Sequence, residues 1–331
     1  MKSKIFKRVF LGLAIILTSG CFLMIIPRVL SYLNPDKPPV GYYFEPLGFL
    51  AIKIGLEDVI NKTPAIPEDI EALKNIEYKS INGKSLQLDI YRPFNIVKPA
   101  PLLVFIHGGG WKGGNRADYL VYLLSFAKKG YITATVSYRL LKDGPYPACA
   151  IDITDAVKWV MANGEKYGYD PKRVALIGGS AGGHLALLAA YQWKSKNALK
   201  DSFRLAQEHP GIKAVVDIYG PVDLTTDYAR NHPLVTNFLA HSFSESPELF
   251  SEASPIQYTD KSDPATLILH GTSDNLVPIS QSILLKARLD SLGVPCVYRP
   301  VPGWPHAMDV DKRVNDYCQK EISSFLEKYL K

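Results

Sequence analysis

The sequence predicts an α/β fold with a mostly parallel central sheet and helices on both faces. Uninterrupted apolar runs of strand length alternate with longer helical patterns, and an antiparallel hairpin signal precedes them. Continuous apolar strands are typical of parallel sheets that are buried on both sides. Of the 331 residues, 47% are hydrophobic and 21% charged, which excludes a disordered chain. A mean hydropathy of -0.01 excludes a polytopic membrane protein.

The N-terminus has the features of a membrane-directed segment. Residues 9–26 form an uncharged apolar run of 18 residues, and four basic residues precede it: Lys2, Lys4, Lys7 and Arg8. This length just suffices to cross a bilayer, and the basic flank predicts a cytoplasmic N-terminus with the rest of the chain on the extracytoplasmic side. A cleaved secretory signal and lipidation of Cys21 stay open as alternatives. We therefore expect residues 1–28 to be a membrane anchor or signal segment.

The charge distribution excludes one class of partner. Most of the net charge of +6 comes from those four basic residues, so the rest of the chain is near balance. With no Lys/Arg stripe for phosphates to follow, we expect no nucleic-acid partner. The cysteines beyond Cys21 have no metal-ligand spacing, so no metal site is expected. Cys296 and Cys318 would form a disulfide if the last strand packs on the last helix; the alternative is that they are buried thiols.

Residues 29–75 are expected to be a juxtamembrane connector or small cap. Prolines and aromatic residues fill its first part, which predicts an extended backbone. Residues 47–60 predict a short amphipathic helix that lies on the membrane, covers an active site or packs on the main domain. Pro67-Glu68-Asp69 indicates a second helix start.

Residues 76–331 are expected to form the main domain. Its first elements are two alternating segments on either side of Asn82-Gly83, a strong hairpin signal. The apolar runs that follow predict strands over 102–107, 131–138, 174–179, 213–220, 265–271 and 295–303. Helical patterns between and after them predict helices over 151–167, 181–193, 278–292 and 310–330.

A nucleophile motif stands at one strand-to-helix junction. Gly178-Gly179-Ser180-Ala181-Gly182 follows the apolar run VALI and opens a helix. A serine on such a tight turn exposes its Oγ above the carboxyl ends of the strands. The amide of Ala181 then lies at a helix N-terminus, where it can stabilise developing negative charge.

A glycine-rich loop follows another strand. His107-Gly108-Gly109-Gly110-Trp111 places three glycines in succession, which is conformationally unfavourable unless bare backbone is needed. We expect the amides of Gly108 and Gly109 to join that of Ala181 in an oxyanion hole. No GK[ST] follows, so a nucleotide loop is not indicated. Trp111 is expected to line the substrate pocket or to pack in the core.

A serine nucleophile needs a base and an orienting acid. His306 lies in GWPHAMD, between the last predicted strand and the last helix. Asp274 lies in GTSDNLVP, just after the strand ATLILH, and Asp223 is the alternative acid. Ser180, Asp274 and His306 follow the chain order of a known hydrolase architecture. We therefore predict these three as the catalytic residues.

These motifs resemble the α/β-hydrolase superfamily. HGGGW together with GGSAGGHLALLAA is similar to esterases related to hormone-sensitive lipase and to bacterial feruloyl-esterase-like (BD-FAE) enzymes. The resemblance covers about residues 76–331 and implies hydrolysis of carboxylic esters without a cofactor. It departs from the family at His306-Ala307-Met308, where relatives often have a glycine and an aromatic residue.

The expected function is therefore that of a serine carboxylesterase acting on small to medium acyl or aromatic esters. Because the triad fixes acyl transfer but not the leaving group, an amidase or peptidase is one alternative. A membrane-associated lipid deacylase is another, in view of the N-terminal segment. A non-catalytic binding module is the third, since fold alone does not fix function.

Overall fold

The computed structural model describes residues 23–97, 99–192 and 211–330. Eight strands form one sheet in the order β1-β2-β4-β3-β5-β6-β7-β8. They are β1 (Ile70–Ile81), β2 (Lys84–Pro93), β3 (Ala100–Ile106), β4 (Ile132–Val136), β5 (Tyr169–Gly179), β6 (Ile212–Ile218), β7 (Ala265–Gly271) and β8 (Cys296–Val301). β1 pairs antiparallel with β2, and β2 with β4, whereas all other neighbouring strands are parallel. The predicted α/β class with an antiparallel edge is confirmed.

The hairpin β1–β2 turns where the sequence predicts. Asn82 and Gly83 adopt φ values of 50° and 75°, the left-handed conformations that a two-residue hairpin turn requires. β1 begins at Ile70, earlier than the predicted start of the domain at residue 76. The predicted helix start at Pro67 is wrong, because residues 68 and 69 form a turn into this strand.

Helices cover both faces of the sheet. They are α1 (23–33), α2 (Glu45–Lys53), α3 (Leu120–Lys128), α4 (Ala148–Ala162), α5 (Gly164–Tyr167), α6 (Ala181–Tyr191), α7 (Asp227–Arg230), α8 (Pro233–Leu239), α9 (Pro247–Glu252), α10 (Ser280–Leu292) and α11 (Lys312–Tyr329). α4, α6 and α10 enclose one apolar cluster with one face of the strands. α3 and α11 enclose a second cluster on the other face. Burial on both faces explains why the parallel strands are uniformly apolar.

The cysteines lie apart. Cys149, Cys296 and Cys318 are free thiols in the described part of the chain. Cys296 packs with the cluster on one face of the sheet, and Cys318 is buried in the cluster on the other. The sheet therefore separates them, and the hypothesis of a disulfide between them is wrong.

Residues 23–60, here called the N-terminal unit, pack against the C-terminal part of the main domain. α1 and α2 meet through a small cluster of Met24, Tyr42 and Ala51. The apolar run predicted as a transmembrane or signal helix lies mostly outside the described residues, which begin at residue 23. Among the helices that the structure describes, none has both the length and the apolar character that crossing a bilayer requires.

Candidate active site

Ser180 lies on a tight turn between β5 and α6. Its φ of 56° and ψ of -126° are strained for a residue with a side chain. The turn is held by the Ser180 amide, which donates to the Ile218 carbonyl at 2.8 Å. Gly182 must be glycine here, since a Cβ would lie 2.1 Å from the Ile106 carbonyl oxygen. This close packing raises the serine above the carboxyl ends of the central strands.

Ser180, His306 and Asp274 form a continuous hydrogen-bonded chain. His306 comes from the loop between β8 and α11, and its Nε2 lies 2.9 Å from Ser180 Oγ. Its Nδ1 lies 2.7 Å from Asp274 Oδ2, in the loop between β7 and α10. Loops at the carboxyl edge of one sheet thus bring together the three residues that the sequence singled out. The alternative acid, Asp223, instead accepts from the amide and hydroxyl of Thr225.

Asp274 is held as a carboxylate. Its Oδ1 accepts from the amides of Leu276 and Val277 at 2.9 and 2.8 Å. Its Oδ2 lies 3.2 Å from His270 Nε2 as well as near His306. Burial alone would raise the pKa of Asp274, but the hydrogen bonds from His270 and His306 outweigh it and lower the pKa to about 2.

His270, which no sequence motif indicated as a site residue, is a further partner of Asp274. It is fully buried, and its Nδ1 lies 2.7 Å from Ser282 Oγ on α10, which fixes the plane of the ring. The available signal was its position at the end of β7, four residues before Asp274. The four-residue spacing indicates a contact only when the loop after β7 is known to turn back on that strand.

The glycine-rich loop lies beside Ser180. A Cβ on Gly108 would come within 2.7 Å of the Gly179 carbonyl oxygen and 3.4 Å of Ser180 Cβ, so the two backbones are in direct contact. Gly109 has a φ of 104°, a conformation that other residues rarely adopt. His107 is buried and its ring stacks on Tyr138 at 4.3 Å, so it supports the loop from below.

Trp111 is fixed from two sides. Its ring stacks on Phe238 of α8 at 4.1 Å, and its Nε1–H donates to His184 Nδ1 at 3.3 Å. His184 in turn donates from Nε2 to the Ala253 carbonyl at 2.8 Å. Burial lowers the pKa of His184 to about 4, so the ring is neutral and Nδ1 is free to accept. This chain ties the glycine-rich loop to α6 and to the segment after α9.

Two cavities adjoin Ser180. The larger is an open cleft of about 530 Å³, and its wall includes Gly108, Gly109, Ser180 and His306. The smaller holds only about 20 Å³ beside Ala181. Its wall is mainly apolar and aromatic: Trp111, Pro221, Tyr228, Leu234, Val235, Leu276 and Val277.

The larger cleft has a polar wall that the sequence did not reveal. Tyr122 and Tyr219 both donate to Asp309, which is buried between them. Burial raises the pKa of Asp309, and the Tyr219 ring lies 4.7 Å from that of His306. Charged side chains stand in the same wall: Lys62, Lys112 and Asp118.

Side chains from distant segments complete the two cavities. Ile60 and Lys62, from the connector, line the larger cleft, and Leu234 of α8 lies in the walls of both cavities. The connector thus contributes to the wall of the cleft, and its role as a small cap over the site stays a prediction. Within the described residues, no group of His, Cys, Asp and Glu is arranged to hold a metal ion.

Comparisons with known proteins agree with this architecture. The BD-FAE family model matches residues 88–289. Esterase LipQ from Mycobacterium tuberculosis (strain ATCC 25618 / H37Rv) is 33% identical over 74% of this chain and 59% of its own length. Esterase LipC from the same strain is 32% identical over 67% of this chain and 57% of its own length. The chain thus spans little more than half the length of these relatives.

Solved structures show the same fold. A truncated form of a carbohydrate esterase from gut microbiota has a TM-score of 0.67 and 26% identity, covering 80% of this chain and 99% of that one. The apo form of Thermogutta terrifontis esterase 2 has a TM-score of 0.64 and 23% identity, covering 80% and 96%. The mostly parallel sheet with an antiparallel edge is therefore that of these esterases.

Proposed function

The chain belongs to the BD-FAE family of α/β-hydrolase esterases, and from this premise we propose that it hydrolyses carboxylic esters with Ser180 as nucleophile. His306 is the general base and Asp274 the orienting carboxylate. The observation that carries the proposal is the unbroken chain from Ser180 Oγ through both nitrogens of His306 to Asp274. A nucleophile, a base in contact with it and a carboxylate behind the base are the three groups that acyl transfer needs.

The proposed reaction proceeds through an acyl-enzyme. His306 Nε2 accepts the proton of Ser180 as Oγ bonds to the ester carbonyl carbon. When the tetrahedral intermediate collapses, its ester C–O bond breaks, and His306 gives the proton to the leaving alcohol. Water then attacks the acyl-serine, transferring one proton to His306, and this proton returns to Ser180 as the carboxylic acid departs. Asp274 stays ionised throughout, because its pKa is lowered to about 2.

Backbone amides are proposed to stabilise the oxyanion. Gly108 and Gly109 face the cleft beside Ser180, and Ala181 begins α6, so all three amides adjoin the nucleophile. The N-terminus of a helix adds favourable potential for negative charge. Each such donor contributes about 2.7–4 kcal/mol to the lowering of the barrier.

His306 distinguishes the two cavities. In the second half of acylation it must reach the leaving oxygen, so the leaving alcohol occupies the cavity that His306 lines. Among the described residues, His306 is in the wall of the larger cleft and not of the smaller cavity. We therefore assign the alcohol to the larger cleft and the acyl group to the smaller cavity.

The sizes and walls of the cavities then indicate the substrate. About 20 Å³ of apolar space suits an acetyl group and excludes long acyl chains. The large cleft, with its tyrosines, Asp309 and charged rim, suits a bulky alcohol with several hydroxyl groups. The similar carbohydrate esterase from gut microbiota supports a sugar as that alcohol.

Hydrolysis of a nitrophenyl ester series from acetyl to palmitoyl, by the full chain, tests the proposal. We expect kcat/KM to be highest for acetate and to fall steeply beyond butyrate. Ser180→Ala should lose nearly all of the activity, while its fold is checked by circular dichroism.

A preference for long chains would contradict the assignment of the cavities and favour a lipid deacylase. Faster cleavage of acetyl nitroanilide than of acetyl nitrophenyl ester would favour an amidase with the same residues. Activity that Ser180→Ala leaves undiminished would exclude the proposed nucleophile.

A further inference from the structure

The N-terminal unit exposes an unusual amount of apolar surface. Among the described residues, 18 large apolar side chains are exposed, and 12 of them lie between residues 23 and 54. On α1 they are Leu23, Ile25, Val29, Leu30, Tyr32 and Leu33. So many exposed large apolar side chains within one short segment indicate an interaction site.

α2 continues this surface. Phe49, Leu50 and Ile52 are 64%, 42% and 37% exposed, whereas Ala51 between them is fully buried. The helix therefore packs on the protein through Ala51 and the partly buried Leu47, and leaves three large apolar side chains outside. An ordinary surface helix instead presents polar side chains to the solvent.

The unit is nevertheless held firmly on its inner side. Arg313 of α11 donates from Nε and Nη2 to the buried carboxylate of Glu57 at 2.9 and 2.6 Å. The Gly41 amide donates to the Pro302 carbonyl at 2.7 Å, and Trp304 Nε1 donates to the Pro39 carbonyl at 2.9 Å. Because these bonds fix the inner face, the outward exposure of the apolar residues is a property of the folded unit.

Three observations identify the occupant of this outer face. The uncharged run of residues 9–26 leads directly into α1, so the segment best suited to hydrocarbon joins the apolar surface. Tyr32 and Tyr43, 85% and 65% exposed, are of the residue type that is enriched at membrane–water interfaces. A cleft of about 610 Å³ behind α1 has Arg28, Lys37 and Lys320 in its wall together with one acid, Asp316, so the wall is basic on balance and suits anionic headgroups. Lys320 also pairs with the exposed Asp36 at 3.6 Å.

We propose that the outer faces of α1 and α2 lie in the interfacial layer of a phospholipid bilayer. The two helices rest along the surface, with their apolar side chains at the boundary between headgroups and acyl chains. The basic cleft behind α1 then faces lipid phosphates. Since residues 41–43 bond to the loop before His306, the bilayer also sets the orientation of the active site.

Tryptophan fluorescence of the full chain, reconstituted in phosphatidylcholine–phosphatidylglycerol vesicles, tests this proposal. Phe49→Trp places a reporter on the outer face of α2, and phosphatidylcholine brominated in its acyl chains is the quencher. The matched control is Ile283→Trp on α10, where the native side chain is 51% exposed. We expect the emission added at position 49 to be blue-shifted and to lose more than half of its intensity, while that at position 283 is unchanged.

Equal response of the two reporters to brominated lipid would overturn the proposal. If residues 9–22 or a second copy of the chain cover the face instead, the added emission at position 49 would be blue-shifted but insensitive to brominated lipid. Both substitutions replace an exposed large apolar side chain by tryptophan, so we expect both variants to fold and the test to be made on folded protein. Leu50→Trp serves as a second reporter on the same helix.

Discussion

Several contacts act together to lower the pKa of the buried Asp274. Two backbone amides and two imidazoles surround its carboxylate. The amides and His270 lie within four residues of Asp274 in the chain, whereas His306 comes from a separate loop. Together they keep the acid ionised although it is buried. In the proposed mechanism this anion fixes the tautomer of His306 and stabilises the imidazolium that forms during attack.

Asp274→Asn should therefore lower kcat for acetyl ester hydrolysis by about 10⁴-fold, because the neutral amide stabilises the wrong tautomer. The measurement is steady-state hydrolysis at neutral pH. Asp223→Asn is the matched control, since the Asp223 side chain accepts from the amide and hydroxyl of Thr225 in its own loop, and its replacement should leave kcat within a factor of two or so. Similar losses in the two variants would contradict the assignment of the acid.

Asp217 has the opposite environment. It is fully buried below the nucleophile turn, where its Oδ1 accepts from the Gly220 amide at 2.9 Å. Its Oδ2 has no hydrogen-bond partner in the described part of the chain. Burial raises the pKa of Asp217 to about 8, so the folded protein keeps it protonated at neutral pH.

This difference predicts a pH-dependent stability. The ordinary pKa of an aspartate is about 3.9, so between about pH 4 and pH 8 the folded state binds one proton more than the unfolded state. The contribution of Asp217 to the free energy of unfolding therefore falls as the pH rises through this window. Asp217→Asn should gain stability relative to the natural protein between about pH 5 and pH 7, by at most about 1.4 kcal/mol per pH unit.

Urea unfolding at the two pH values measures this gain, with Asp227→Asn as the control. The Asp227 side chain is 99% exposed, so its replacement should shift both values equally. A difference between Asp217→Asn and the natural protein that does not change with pH would contradict the account of this residue.

At the scale of elements, α8 sets the size of the smaller cavity, which we propose holds the acyl group. Leu234 and Val235 both line it, and Phe238 of the same helix stacks on Trp111 on its other side. The helix lies in the segment after β6, where the sequence patterns predicted no helix. Its importance comes from tertiary placement, which no local pattern within residues 223–254 reveals.

Leu234→Ala should enlarge the acyl cavity and shift the chain-length preference. We expect the ratio of kcat/KM for butyrate to that for acetate to rise roughly tenfold, since one or two methylenes in an apolar pocket are worth that much. Leu249→Ala on α9 removes the same volume from a half-buried side chain outside both cavity walls. An unchanged ratio in Leu234→Ala would show that the acyl group lies elsewhere.

The elements that the sequence predicted best are those with strong local signals. The Asn82-Gly83 hairpin, the apolar strands and the glycine-flanked turn at Ser180 each depend on a few adjacent residues. The sequence patterns did not reveal the contact between Asp274 and His270 or the tyrosines that donate to Asp309. They also did not reveal that Lys62 lies in the wall of the larger cleft. These features join segments that are far apart in the chain, and only the folded sheet brings them together.

At the scale of the whole molecule, the N-terminal unit and the active site share one loop. The Gly41 and Tyr43 amides donate to the carbonyls of Pro302 and Gly303, three or four residues before His306. The bond between Arg313 and Glu57 holds the unit in this position. The loop that carries His306 is thus supported by a segment that lies before the main domain.

Arg313→Ala should weaken this support. Removing one partner of a buried ion pair costs about 3–5 kcal/mol. The Glu57 side chain, only 1% exposed, would lose its charged partner and keep the hydrogen bond from the Tyr42 hydroxyl at 2.7 Å. We expect faster thermolysin cleavage within residues 41–60 and a lower kcat, measured on the same preparation. Arg299→Ala, which removes an exposed pair with Glu321, should change neither. Unchanged proteolysis in Arg313→Ala would contradict the coupling.

The central claim is that Ser180 carries the acyl group during catalysis. Mass spectrometry of peptides from the full chain, quenched in acid during turnover of nitrophenyl acetate, tests this most directly. The account predicts one added acetyl group on the peptide that contains Ser180, and its absence in Ser180→Ala together with the loss of hydrolysis. An acetyl group on another residue, or hydrolysis that persists in Ser180→Ala, would contradict it.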